Sequence, residues 1–393
     1  MKGAIKKGWK KLLVLAMTCV FSASTMGGLY RSYSEAAETL RGKDGSASAS
    51  ASADGEQVAV QKMTNISDVS LSSEYVLNAE GETAGTMYDD NDIVTVIVKL
   101  KDESMLSKAT YDAGMNVDEY ALTEEGIRYN LELQKSRDGF IRSNSAKLLS
   151  VGYEYSTIFN GFAADIYYKS LSALENDPNV ESVLISEKYD KPQVVTENDV
   201  NVYETGIYDS GDIDYDGSGT VVAILDTGLD YTHTAFQNQP TGNLALTMDD
   251  VNAVFDDLAA KQLDAANENN VRDLRAEDLY YSDKVPFMYD YADSDSNVYP
   301  VNDHGTHVAG VIAGKDDVIT GVATQAQLAI FKVFGNEDEG APQEAILAAL
   351  NDAILLGVDA INMSLGSSGG FSRAADEDAT NEIYDGIKES GMC

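Results

Sequence analysis

The chain has 393 residues, 44% of them hydrophobic, with 32 glycines and 6 prolines, enough for two or three globular domains. Its 28 basic and 65 acidic residues give 28 − 65 = −37, which argues against nucleic acid or an anionic membrane surface as partner. Two cysteines, Cys19 in an apolar run and Cys393 at the last position, cannot build a disulfide framework.

Lys2, Lys6, Lys7, Lys10 and Lys11 precede an apolar core from Leu12 to Ser24. That core is too short to span a bilayer, and the pattern is that of a secretory signal. Ser34-Glu35-Ala36 offers a small-x-small cleavage site, so residues 1–36 are expected to be a signal peptide. An uncleaved anchor and a lipoprotein modified at Cys19 are the alternatives; Met17-Thr18 leads poorly into a lipid-modified cysteine. Residues 37–91 read as a flexible linker around GKDGSASASASADG, Gly42 to Gly55. No later segment approaches membrane-spanning length, and the expected location is secreted.

Ordered pattern begins near Asp92. Ile93 to Leu100 is a β-branched strand, residues 116–148 are helix-like, and Tyr153–Phe159 with Gly161–Tyr168 form a hairpin about Asn160-Gly161. A short helix from Lys169 to Asn176 and a strand from Val180 to Ile185 follow. The order β-α-β-β-α-β predicts a ferredoxin-like α+β unit over residues 92–190.

After a polar, Gly/Asp-rich break, residues 197–393 alternate strands and helices. The expected strands are Val221–Leu225, Ala329–Phe334 and Val358–Leu365. The expected helices contain Val308–Ala313, Pro342–Leu356 with an Ile346/Leu350/Ile354 stripe, and Ala374–Glu389. Apolar strands separated by helices predict an α/β fold, a parallel sheet with helices on both faces. Thr247 and Asp250 predict a capping box for a helix over 247–266. Most of the stretch between Asp226 and His304 reads as a surface insertion.

Two motifs carry chemistry. VVAILDTG places Asp226 at the carboxyl end of a strand, where sites of parallel sheets lie. HGTHVAG starts a helix of small residues with His304. An Asp followed by a His suits a Ser-His-Asp hydrolase, the carboxylate fixing the imidazole tautomer. Asp226 could otherwise cap a turn, or be half of an aspartic dyad, but a second Asp-Thr-Gly is lacking. His304 with His307 and His233 makes only a weak metal set, and His307 is expected to pack behind the site. Ser367-Ser368 in GSSGG mimics a nucleophile elbow, but no histidine follows it. Asp212-Ile213-Asp214-Tyr215-Asp216-Gly217 resembles half a calcium loop, so structural calcium is a possible cofactor and none is certain.

At these residues the chain resembles the subtilisin family of serine proteases over about residues 90–393. The resemblance implies a subtilisin-like fold and charge-relay roles for Asp226 and His304. Ser364-Leu365-Gly366 matches the substrate-pocket wall, and Gly340 lies near the extended segment that lines the peptide. Residues 92–190 look like the family's I9-type inhibitory propeptide. YYSDKVPFMYDYAD, Tyr280 to Asp293, is similar to the lactocepin and C5a-peptidase branch. The resemblance implies a secreted preproenzyme, envelope attachment through a further C-terminal region, peptide substrates and an intramolecular inhibitor. The family's oxyanion Asn and nucleophilic Ser lie beyond the Ser-Leu-Gly strand, so residues 197–393 match only the N-terminal part of the catalytic domain. The polypeptide is accordingly expected to be inactive alone. The alternative is a non-catalytic binding or inhibitor protein acting through the propeptide-like domain.

Overall fold

The computed structural model describes residues 88–191, 215–266, 273–337, 340–366 and 374–389. Residues 1–87 of the expected signal and linker, Asp212 to Asp214 of the acidic loop and the glycine turn beyond Gly366 lie outside these residues.

The first domain follows the ferredoxin-like order. Strand β1 (Ile93–Leu100) precedes helices α1 (Val117–Ala121) and α2 (Glu124–Asn144). Strands β2 (Leu148–Tyr155) and β3 (Gly161–Tyr167), helix α3 (Leu171–Glu175) and strand β4 (Val180–Ile185) complete it. The sheet runs β2-β3-β1-β4 and is antiparallel throughout. Alternation along β1 explains its packing: Val94, Val96 and Val98 face one core with Phe140 and Leu174, whereas Ile97 faces another.

Two expectations for this domain are corrected. The 116–148 stretch is two helices, because Thr123 breaks it and caps α2 by accepting Gly126 N–H at 2.9 Å. The hairpin does not turn on Asn160-Gly161. Tyr155 pairs with Gly161, so residues 156–160 form the connection. Arg137, 1% exposed, shapes that loop. It donates to Tyr155 O and Ser156 Oγ at 2.9 Å and to Asn160 Oδ1 at 3.1 Å.

In the second domain β6 (Val221–Asp226), helices α4 (Met248–Val254), α5 (Ala259–Ala266) and α6 (Ala276–Leu279), and β7 (Phe287–Asp290) come first. Helix α7 (His304–Ala313), β8 (Gln327–Lys332), α8 (Gln343–Leu355), β10 (Ala360–Met363) and α9 (Ala374–Glu389) follow. The parallel sheet is ordered β10-β6-β8-β7. All residues of β6 and β8 are buried, as a sheet covered on both faces requires. Val222, Ile224 and Ile330 face Ala309 and Ala313 of α7; Ala223, Leu225 and Phe331 face the core containing α8.

Two further expectations change. The stretch between Asp226 and His304 is not mostly a surface insertion. β7 joins the sheet, and Val285, Phe287, Tyr289, Tyr291 and Val298 are buried. The signal was the apolar run Val285 to Tyr291 itself. Helix α8 shows no single apolar stripe: twelve of its residues are buried, Asn351 and Asp352 among them, because it lies between the sheet and the first domain. The capping box at Thr247 is present, Thr247 Oγ1 and Asp250 exchanging bonds with each other's backbone. Thr247→Ala is expected to lower stability by about 1 kcal/mol in denaturant unfolding.

Two short strands join the domains. β5 (Lys188–Asp190) pairs antiparallel with β9 (Gly340–Pro342), with Tyr189 opposite Ala341.

Candidate functional site

Strand alternation puts Asp226 on the α7 face, 1% exposed at the carboxyl end of β6. His304 Nδ1 lies 2.8 Å from its Oδ1 and 2.9 Å from its Oδ2. Thr227 N–H donates to Oδ1 at 2.7 Å. A carboxylate held this way fixes the imidazole by Nδ1 and leaves Nε2 to accept a proton. Nε2 has no hydrogen-bond partner among the described residues.

The turn after Asp226 also fastens the start of α7, whose first N–H groups need acceptors. His304 N–H donates to Asn302 Oδ1 at 2.9 Å, and Gly305 N–H to Thr227 Oγ1 at 3.0 Å. Thr227 Oγ1 donates in turn to Asn302 O at 2.7 Å. Asp230 N–H donates to Thr306 Oγ1 at 2.8 Å. Asn302, Thr227 and Thr306 were not picked out from sequence. The only signal was a short polar side chain two residues before a helix start.

Two glycines permit this close approach. Gly228 has φ 105°, and a Cβ there would stand 2.2 Å from Val298 O. A Cβ on Gly305 would stand 2.3 Å from Gly228 O and 3.1 Å from Asp226 Oδ1. Gly305→Ala is expected to displace α7 and cost about 100-fold in peptide turnover of a serine-bearing form, with the circular dichroism spectrum retained.

His307 is exposed and does not pack behind the site; the helix turns its side chain outward, and its N–H donates to Asp303 O at 2.9 Å. The metal alternative finds no support in the arrangement. His233 Nδ1 accepts Ala235 N–H at 3.2 Å, and no group of three or more His, Cys, Asp or Glu among the described residues could hold a metal.

Of the expected wall residues Ser364, Leu365 and Gly366 and the expected peptide-lining Gly340, the two glycines flank β5. Gly340 begins β9 and stands opposite Asp190. Gly366 O accepts Asp190 N–H at 2.8 Å from the other side. Leu365 is half-buried against the main core. Ser364 follows β10 and donates from Oγ to Asn362 Oδ1 at 2.9 Å. An extended segment of this same chain thus lies between two rails.

A buried ion pair lies across the same end of the sheet. Lys332 is in register with Asp226 on one side and Asp290 on the other. Its ammonium contacts Asp290 and, at 3.4 Å, Asp293. Burial pushes the Asp290 carboxyl up to about 7, with Lys332 opposing the rise. Sequence reading missed the lysine because it sits in the apolar run AIFKVF.

Residues 217–392 match the family model described as Subtilase family, and residues 95–191 match Peptidase inhibitor I9. The chain carries a subtilase (peptidase S8) domain behind an inhibitor I9 domain, and its fold is the subtilisin-like α/β fold. It is 30% identical over 232 residues to a PII-type proteinase of Lacticaseibacillus paracasei, covering 56% of this chain and 11% of that protein. Over 183 residues it is 28% identical to a C5a peptidase of Streptococcus pyogenes, covering 45% of this chain and 14% of the relative. Among solved structures, fervidolysin of Fervidobacterium pennivorans, a keratinolytic enzyme related to subtilisin, matches with TM-score 0.43 at 17% identity. That match covers 77% of this chain and 39% of fervidolysin. The chain thus spans a small part of the curated relatives it matches.

Proposed function

We propose that the whole protein is a secreted serine endopeptidase made as a preproenzyme, in which Asp226 orients His304 and His304 takes the proton of a serine nucleophile. The observation that carries this reading is the Asp226–His304 contact at 2.8 Å, held on a buried strand end and a helix start. In the first half-reaction Nε2 removes the serine proton as Oγ attacks the peptide carbonyl. The imidazolium so formed returns that proton to the leaving amine, while Asp226 stays ionised. Secretion rests on the basic, then apolar, N-terminal pattern.

Ser364, Leu365, Gly366 and Gly340 line the cleft for an extended protein or peptide substrate. The main-chain pairing of β5 with Gly340–Pro342, and of Asp190 with Gly366, is the support for this assignment. A substrate strand would make the same backbone bonds. The I9 domain acts as the intramolecular inhibitor, its trailing strand occupying the rails until the chain is cut between about Asp190 and Tyr208.

Residues 1–393 by themselves are not expected to hydrolyse peptides. Of the serines after His304, Ser364 is bonded to Asn362, and Ser367, Ser368, Ser372 and Ser390 sit in no nucleophile setting. The test is fluorophosphonate labelling with peptide hydrolysis. A serine-bearing form should do both, and residues 1–393 neither. Stoichiometric labelling of residues 1–393 would place the nucleophile within them and overturn the assignment.

A further inference from the structure

The I9 domain rests on the subtilase domain through hydrogen bonds as well as apolar contacts. Tyr153 OH donates to Tyr291 O at 2.6 Å. Thr157 N–H, in the loop braced by Arg137, donates to Asn351 Oδ1 at 2.9 Å, and Ile158 N–H reaches the same oxygen at 3.4 Å. Asn130 Nδ2 donates to Asp257 Oδ1 at 2.8 Å, just before α5, which packs on β2. Besides β9, which pairs with β5, and α9, where Asp376 Oδ1 accepts Ile185 N–H at 3.2 Å and Glu382 pairs with Lys99, three pieces of the subtilase domain receive the I9 domain: the α4–α5 segment, the residue after β7, and helix α8.

One buried carboxylate joins all three. Asp352, on α8, is fully buried. It accepts the first N–H groups of α5, Ala259 at 2.8 Å and Ala260 at 2.9 Å. It also accepts Tyr291 OH at 2.8 Å and Asn351 Nδ2 at 3.2 Å. The last bond fixes which way the Asn351 amide faces, so that its oxygen meets the incoming Thr157 N–H. Yet among the described residues no I9 side chain or N–H bonds to Asp352 itself. A buried carboxylate without a cation is costly, and four donors are what make it tolerable.

We propose that Asp352 is the positioning residue of the inhibitor-docking surface: it holds α5, Tyr291 and Asn351 in one arrangement that fits an I9 domain presenting the Tyr153 hydroxyl and the Thr157 N–H. The proposal rests on the reading of residues 92–190 as an inhibitor that docks on its own protease domain. It adds that docking affinity is set from beneath the interface, by a residue whose hydrogen bonds all lie within the subtilase domain. The segment between the Asp and His motifs then serves inhibitor recognition as well as the fold, because α5 is pinned by Asp352 at its N-terminus, where a carboxylate complements the helix end.

The test is amide hydrogen exchange on the intact chain at pH 8, reading Thr157 and Ile158 against β1 amides inside the I9 sheet and β6 amides inside the subtilase sheet. Asp352→Asn puts an NH2 where donors converge, so at least one of the four bonds is lost. It is expected to speed exchange at Thr157 and Ile158 by about tenfold or more, as for loss of a buried charged hydrogen bond, with β1 and β6 protection unchanged. Tyr291→Phe removes one donor, keeps the ring and backbone oxygen, and is expected to give a smaller acceleration at the same two amides. Wild-type rates at both amides in both folded variants would overturn the proposal. Should β6 protection collapse in Asp352→Asn, the outcome is read from Tyr291→Phe alone. Unprotected Thr157 and Ile158 in the wild type, with β1 protected, would instead refute the docking reading on which the proposal rests.

Discussion

His304→Ala, made in a serine-bearing form of the protein, is expected to lower kcat by about 10⁴- to 10⁶-fold while substrate binding largely survives, because the lost interaction exists in the transition state. Asp226→Asn should cost about 10⁴-fold, since an amide cannot hold His304 by Nδ1 in the required tautomer. The geometry separates these from a third change. His307 is exposed on the outer face of α7, so His307→Ala should stay within about threefold of wild type, as a surface substitution does. The comparison needs the three single variants in one peptide assay with folding checked by circular dichroism. A His307→Ala loss as large as that of His304→Ala, in a folded protein, would break the assignment of roles within His-Gly-Thr-His.

What was legible in the sequence is what local pattern encodes. The apolar run Val221 to Leu225 could only be a doubly covered strand, and Asp226 at its end was visible as a site residue for that reason. The ferredoxin-like order of the first domain followed from strand and helix lengths alone, and β4 and α9 have the expected bounds. What was not legible depends on neighbours distant in the chain. Helix α8 reads as amphipathic because it carries Asn351 and Asp352 at interior positions. Both are buried, their polar groups being met by Thr157, Ala259, Ala260 and Tyr291. β7 reads as insertion because the strand it pairs with, β8, lies some way along the chain. The Asn160-Gly161 turn failed because Arg137, in α2, holds the preceding residues as a loop. Asn302 and Thr227 escaped notice because their roles come from two turns meeting in space.

Lys332→Met is expected to destabilise the protein by about 3–5 kcal/mol at pH 8, because it leaves the fully buried Asp290 carboxylate without its cation. The cost should depend on pH with a definite sign. Burial pushes the Asp290 carboxyl in the folded protein up to about 7 from its ordinary value of 3.8. Between those values the folded state binds a proton that the unfolded state does not, so its contribution to stability falls as pH rises towards about 7. Removing the Lys332 ammonium takes away an interaction that lowers this pKa, so the folded value rises further and the loss extends to higher pH. Near pH 5 Asp290 carries its proton with or without Lys332, and the penalty should shrink to a small part of its value at pH 8. Denaturant unfolding of wild type and variant at the two pH values measures this. A penalty equal at both would mean that Asp290 does not titrate in this range. The consequence reaches the site, because the Lys332 stem lies under the Asp-Thr-Gly turn, its Cδ 3.0 Å from where a Gly228 Cβ would stand. Loss of the pair should therefore loosen the turn that holds Asp226 against His304, lowering turnover of the serine-bearing form at pH 8 more than at pH 6.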